Sequence, residues 1–254
     1  MTTQPVPVAL VTGASRGLGR AVTATLVERG WRLIVDARDP VRLAETTAGH
    51  PSIQAVPGDV ADPGHRRRLA EAVATAGRLD VLINNASVLG PSPQPRLADY
   101  PLGTLAEVYA VNTFAPLGLL QLVLPWVRRV VNVSSDAAVE AYPGWGGYGS
   151  AKAALDHLTR VLAVEHPDLR VYSFDPGDMA TDLQQQAFPG EDVGDRPAPE
   201  TVVPALFRVL TGDLPSGRYR AADLLAPVPG GEDGPAAHPV PTPAAAEPRP
   251  AASA

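Results

Sequence analysis

The chain has 254 residues, 45% of them hydrophobic and 19% charged, and it contains no cysteine. The apolar fraction suffices for a sizeable core, and a single α/β domain commonly reaches this length. Without cysteine there is no disulfide scaffold, no thiolate metal site and no cysteine nucleophile. The formal net charge of −6 argues against nucleic acid or an anionic membrane surface as the main partner.

From Met1 to Leu10 no basic residue precedes the apolar run, so no secretory signal is expected. Residues 6–12 are short, β-branched and apolar, as in a strand buried on both faces. Residues 17–29 carry Leu18, Ala21, Val22, Leu26 and Val27 at helical spacing, with Gly30 placed to cap the C-terminus. A second strand is expected at 33–37, followed by a helix over 40–48 that starts on Asp39 with proline at its first position. A third strand falls at 53–56, and Asp62-Pro63 opens a helix running to about Ala76. A fourth strand at 80–84, a long helix over 104–127 and a fifth strand at 130–134 follow. The apolar 109–127 run is broken by Asn112, Pro116, Gln121 and Pro125, which fits a buried core helix better than a membrane span. The expected compartment is therefore the cytosol.

A helix over 148–165, a sixth strand at 170–174, a helix over 200–210 and a short last strand at 218–221 complete the pattern. Such alternation predicts an α/β fold: a doubly wound, Rossmann-like parallel sheet of about seven strands with helices on both faces, in one domain spanning 1–225. Polar residues 178–199 after the sixth strand read as a mobile loop or lid. Residues 226–254 hold eight prolines, many alanines, no aromatic and no Leu or Ile, the composition of a disordered tail. Arg66-Arg67-Arg68 reads as a solvated helix face, and none of the five histidines has an evident partner in the sequence. No Asp/His/Glu cluster has the spacing of metal ligands.

Glycines 13, 17 and 19 stand between the first strand and the first helix. There they allow a tight turn and a close backbone approach to a pyrophosphate, which the free N–H groups of the helix start would favour. Tyr148 and Lys152 lie four apart and so share a helix face. A nearby ammonium favours a phenolate, which would bring a group that titrates near ~10 toward the working range of a proton shuttle. Of 21 basic residues Lys152 is the one lysine, which suits a compact cation with three rotatable donors better than a guanidinium.

The motif T-G-x-x-x-G-x-G at 12–19 resembles the nucleotide loop of the single-domain short-chain dehydrogenase/reductase family. The likeness continues in order with Asp59-Val60, Asn84-Asn85-Ala86, Asn112, Ser134-Ser135, Tyr148-x-x-x-Lys152 and Pro176-Gly177-x-x-x-Thr181. It covers residues 6 to about 220. The resemblance implies hydride transfer between a nicotinamide cofactor and a small organic carbonyl or secondary alcohol. Tyr148 would act as acid and base, Ser135 as the carbonyl's partner, Lys152 as tuner of the phenol and ribose ligand, and Asn112 as the fourth member. Gly13, Ser15, Arg16, Gly17, Leu18 and Gly19 would hold the pyrophosphate end. Asp59 and Val60 would face the adenine, Asn85 and Ala86 the ribose, and Pro176, Gly177 and Thr181 the carboxamide.

Family members that use NAD(H) usually close the second strand with an acidic residue; here that place falls on Ala37, followed by Arg38. Arg38 and Arg16 suit a 2′-phosphate, pointing to NADP(H) over NAD(H). The alternative is a solvated Arg38, with Asp36 reaching the ribose. Ser87 stands where the family has the glycine of an Asn-Asn-Ala-Gly turn, a mild strain if that position needs positive φ. Trp145, Met179 and Phe188 are candidates for the substrate side. The family also implies a homodimer or homotetramer packed through the 104–127 and 148–165 helices. A catalytically silent nucleotide-binding sensor or scaffold is the alternative function, although it would have no need of Tyr148.

Overall fold

The computed structural model describes residues 5–226. Strands β1 (Val8–Val11), β2 (Arg32–Val35), β3 (Ile53–Ala55), β4 (Val81–Asn84), β5 (Arg129–Val133), β6 (Arg170–Asp175) and β7 (Gly217–Arg220) form one sheet in the order β3-β2-β1-β4-β5-β6-β7. All pairings are parallel. Chain order reverses direction between β1 and β4, and in open parallel sheets ligands bind outside the carboxyl ends of the strands at such a point.

Helices α1 (Gly17–Glu28), α2 (Pro40–Thr47), α3 (Pro63–Ala76), α4 (Leu102–Tyr109), α5 (Ala115–Val123), α6 (Gly146–Glu165), α7 (Asp182–Ala187), α8 (Val203–Thr211) and α9 (Ala221–Leu225) accompany the sheet. Because strand side chains alternate in direction, β1 sends Ala9 and Val11 to one face and Val8 and Leu10 to the other. The first face packs on Leu18, Val22 and Leu26 of α1 and Leu206, Val209 and Leu210 of α8. The second meets Leu69 and Val73 of α3 with Leu119 and Val123 of α5. Asp39 and Asp62 cap α2 and α3, each accepting two main-chain N–H groups ahead of a first-turn proline.

Three expectations need correction. The 104–127 segment is two helices joined by a π turn over Ala110–Phe114, where the Ala115 N–H reaches back to the Ala110 carbonyl. The extra residue turns Asn112 fully inward. The 178–199 segment contains α7, capped by the Thr181 hydroxyl and packed through Leu183 and Ala187 against Tyr148. Arg66 is half-buried, since its guanidinium donates to the carbonyls of Val60 and Ala61 at 2.6 and 2.9 Å. The proline- and alanine-rich 226–254 segment lies, but for Ala226, outside the described residues. Among the described residues no helix is long and apolar enough to cross a membrane.

Candidate active site

A cleft of about 890 Å³ opens along the carboxyl ends of β1, β2, β4, β5 and β6. It is lined at one end by the glycine turn, Arg38, Asp59 and Val60, and at the other by Ser135, Tyr148 and Lys152. Asn85, Ala86, Pro176, Gly177 and Thr181 line it too, as do Ser15, Arg16 and Leu18.

The glycine turn is held from three sides. The Thr12 hydroxyl accepts the Asn85 and Ala86 N–H groups, both at 3.0 Å. The Asn85 amide donates to the Thr12 and Gly13 carbonyls at 2.9 and 3.2 Å, so its side chain braces the turn. From below, Asp36 accepts the Gly13 N–H at 2.8 Å. Gly13 has φ of 67°, and a Cβ there would lie 2.9 Å from the Ala86 Cα, so glycine is required twice over. A Cβ on Gly19 would overlap the Gly13 carbonyl.

Asp36 is 1% exposed and does not reach outward as a ribose ligand would. Its second oxygen faces His65 Nε2 at 2.9 Å, which corrects the reading of His65 as unpartnered. Burial raises the Asp36 pKa, against the hydrogen bonds from His65 and Gly13. The ring of His65 fits only because Gly58 has no Cβ, and Arg68 approaches its Nδ1 at 3.2 Å. This pairing ties the residue that follows β2 to the first turn of α3. Asp59 itself accepts the Ala61 N–H at 2.8 Å.

The fit of the cleft to a phosphorylated dinucleotide is judged from the cations that line it. The Asp182 carboxylate lies between Arg16 at 3.0 Å and Arg42 at 3.4 Å. Exposed Arg38 lines the same corner. Three arginines thus line the cleft with the charged, forked donors that suit a 2′-phosphate, two of them meeting at one carboxylate. Arg42 escaped the sequence reading because its one-turn offset from Arg38 carries no motif.

At the other end, Tyr148 is 6% and Lys152 2% exposed. The Lys152 Nζ lies 5.5 Å from the Tyr148 ring centroid and donates to the Val133 carbonyl at 2.7 Å. Burial pushes the amine down to about 8. Burial likewise pushes the phenol up to about 12, the carboxylates of Asp175 and Asp136 adding to the rise while bonds to Ser87 and Ser135 oppose it. Lys152 is not among the groups that set the phenol in this cleft; burial dominates and holds Tyr148 above its ordinary value.

The buried Asn112 accepts the Val88 N–H at 2.9 Å and donates to the Val88 carbonyl at 2.8 Å, pinning the turn after β4. Its carbonyl oxygen also accepts the Ser87 hydroxyl at 3.2 Å. Among the described residues every positive φ belongs to glycine, so Ser87 carries no strain. Ser134 and Ser135 both line the cleft, Ser134 buried with its hydroxyl unpartnered. Trp145 packs edge-on to Tyr148 at 5.8 Å and tilted on Phe188 at 6.0 Å, walling the cleft beside α7. Met179 lines the cleft too.

Sequence reading missed the ion cluster beneath these residues. Arg218 of β7 donates to Asp175 at 2.9 Å, to Asp156 at 3.1 Å and to the Ser135 carbonyl at 2.9 Å. Asp175 also accepts the Gly177 N–H at 3.0 Å. One guanidinium thereby joins the serine's main chain, the helix bearing Tyr148 and Lys152, and the root of the Pro176–Thr181 loop.

Glycine turn, arginine corner and Ser-Tyr-Lys end within one cleft define a nicotinamide-dependent oxidoreductase type of site. Residues 7–192 match the family model described as short chain dehydrogenase, and the chain belongs to that family. It is 36% identical over 172 residues to the rhamnolipids biosynthesis 3-oxoacyl-[acyl-carrier-protein] reductase of Pseudomonas aeruginosa, covering 62% of this chain and 66% of that protein. It is 36% identical over 201 residues to sepiapterin reductase of Mus musculus, covering 71% and 77%. A crystal structure of a short chain dehydrogenase from Escherichia coli CFT073 complexed with NADPH superposes with a TM-score of 0.78. It is 26% identical, covering 85% of this chain and 96% of that one.

Proposed function

We propose that this protein is an NADP(H)-dependent carbonyl reductase acting on a small organic ketone or aldehyde, with the corresponding secondary alcohol as product or reverse substrate. The observation that carries it is the placing of Ser135, Tyr148 and Lys152 at one end of the cleft whose other end gathers Arg16, Arg38 and Arg42. Gly13, Ser15, Gly17, Leu18 and Gly19 would hold the pyrophosphate, Asp59 and Val60 the adenine, and Asn85 and Ala86 the adenosine ribose. Pro176, Gly177 and Thr181 would hold the carboxamide, and Lys152 with Tyr148 the nicotinamide ribose. When bound, the cofactor supplies the hydride.

Ser135 presents its hydroxyl to the substrate oxygen, and Tyr148 gives that oxygen its proton. The proton comes from a phenol kept whole by a pKa of about 12. Lys152, whose amine is charged below about pH 8, then faces the phenolate left behind. Asn112 keeps the turn bearing Ser87 and Val88 in place against this end.

Titration with NADPH and NADH in parallel, followed by a ketone panel read from nicotinamide absorbance, tests the reading. Tighter NADPH binding and turnover of at least one ketone are expected. Tighter NADH binding would remove the arginine argument. Retention of the complete Ser135-Tyr148-Lys152 set speaks against a silent sensor or scaffold, which would bind cofactor and reduce nothing.

The folded unit is assigned to about 1–225. A cytoplasmic, homodimeric or homotetrameric protein is the form in which it works, assembled through the 104–127 segment and the 148–165 stretch of α6. Phe114 next to α5, Leu122 on it, and Val161 and Val164 of α6 are exposed, which supports that contact. Sedimentation would test it, a monomer at micromolar concentration being the contrary result.

A further inference from the structure

The residue after the candidate catalytic serine is Asp136, and its carboxylate turns back onto the serine. Ser135 Oγ lies 3.0 Å from Asp136 Oδ1. The other Asp136 oxygen accepts the Tyr142 hydroxyl at 3.0 Å, and the Ala137 N–H donates to Oδ1 at 2.8 Å. A carboxylate only accepts, and a serine has one proton. The Ser135 hydroxyl is therefore directed to Asp136, while its oxygen takes the Ala137 N–H at 3.2 Å and the hydroxyl also bonds with Tyr148. Ser135 and Asp136 both line the cleft that holds Tyr148.

We propose that Asp136 is a positioning residue that holds the Ser135 proton away from a neutral carbonyl and yields it only to an oxygen that is becoming negative. This inference rests on the carbonyl-reductase reading. A ketone oxygen is a weaker acceptor than a carboxylate, so in the ground-state complex the proton stays on the Asp136 side. As hydride arrives at the carbon, the substrate oxygen takes on alkoxide charge and becomes the better acceptor. The proton then swings about the fixed Cβ–Oγ bond, and no heavy atom has to move. Asp136 keeps the Ala137 and Tyr142 bonds, so its charge is not stranded when the serine leaves. Because the carboxylate bond is surrendered as the alkoxide bond forms, Asp136 weakens ground-state substrate binding and gives no acceleration of its own.

The test uses Asp136→Ala in the full chain, with acetophenone as the probe. Removing the competing acceptor frees the Ser135 proton for the ground-state ketone. KM should fall by about three- to tenfold with kcat unchanged or higher, so kcat/KM should rise by at least the same factor. In the non-reacting complex of enzyme, oxidised cofactor and acetophenone, the carbonyl stretch should move to lower frequency in the variant, because a second donor now reaches the oxygen. A purely structural Asp136 would leave that frequency alone.

Asp136→Asn, isosteric but uncharged, keeps an acceptor and should fall between the two; it carries the test if the alanine variant fails to bind NADPH. An unchanged or higher KM with intact NADPH binding, or an unmoved carbonyl stretch, overturns the inference. Ser135→Ala separates the two readings. If it retains full turnover, the role given to Ser135 is wrong. If it is impaired while the Asp136 variants match wild type, only the role of Asp136 is lost.

Discussion

Lys152 gives the sharpest stability prediction, because catalysis and folding ask opposite things of it. Its amine is 2% exposed, and burial brings its pKa from 10.5 to about 8. At about 1.4 kcal/mol per pH unit, holding that charge inside at pH 7 costs about 3 kcal/mol. Lys152→Met, an apolar change of similar volume, removes the cost but strands the Val133 carbonyl, which now accepts the amine at 2.7 Å. The lost bond returns about 1–2 kcal/mol. The variant should therefore be more stable than wild type by about 1–2 kcal/mol at pH 7, while turnover falls by about 100-fold or more. Between about pH 8 and 10.5 the unfolded chain keeps this proton and the folded one has released it, so wild-type stability rises with pH across that window. The advantage of Lys152→Met should shrink accordingly. Urea unfolding of both proteins at pH 7 and about pH 10, without cofactor, measures it. A methionine variant less stable at pH 7, or an advantage that grows with pH, refutes the reasoning.

Arg38→Ala should weaken NADPH by about 10–100-fold and leave NADH nearly unchanged, the loss expected for one charged bond to the 2′-phosphate; equal losses for both cofactors in a fluorescence titration would contradict it. Arg218→Met strands the buried carboxylates of Asp156 and Asp175 and should cost about 3–5 kcal/mol in urea unfolding. A neutral result would mean that the cluster contributes little to holding β7 and β6 together.

What could be read from the sequence was whatever depends on local order. Strand and helix alternation is a matter of spacing between neighbours, and the glycine turn and the Tyr148–Lys152 step are motifs a few residues long. The π turn at Asn112 escaped because one inserted residue hardly disturbs an apolar run. Asp36 meets His65 across 29 residues, and Arg218 meets Asp156 and Asp175 across 62 and 43, so none of these pairings leaves a periodic trace. Asp136 was overlooked for a different reason: adjacency to Ser135 says nothing of a carboxylate folding back. The electrostatics of the catalytic end were not legible either. Proximity of Lys152 to Tyr148 is evident from spacing, but the depth of their burial, which dominates both pKa values, is a property of the folded cleft.

Everything functional turns on one proton held by Tyr148. Tyr148→Phe keeps the ring against Trp145 and removes only the hydroxyl, so NADPH affinity should change by no more than a few-fold. Ketone reduction should fall by about 100- to 10,000-fold, the range for loss of a positioned general acid. A phenylalanine variant that reduces the ketone at the wild-type rate would contradict the account.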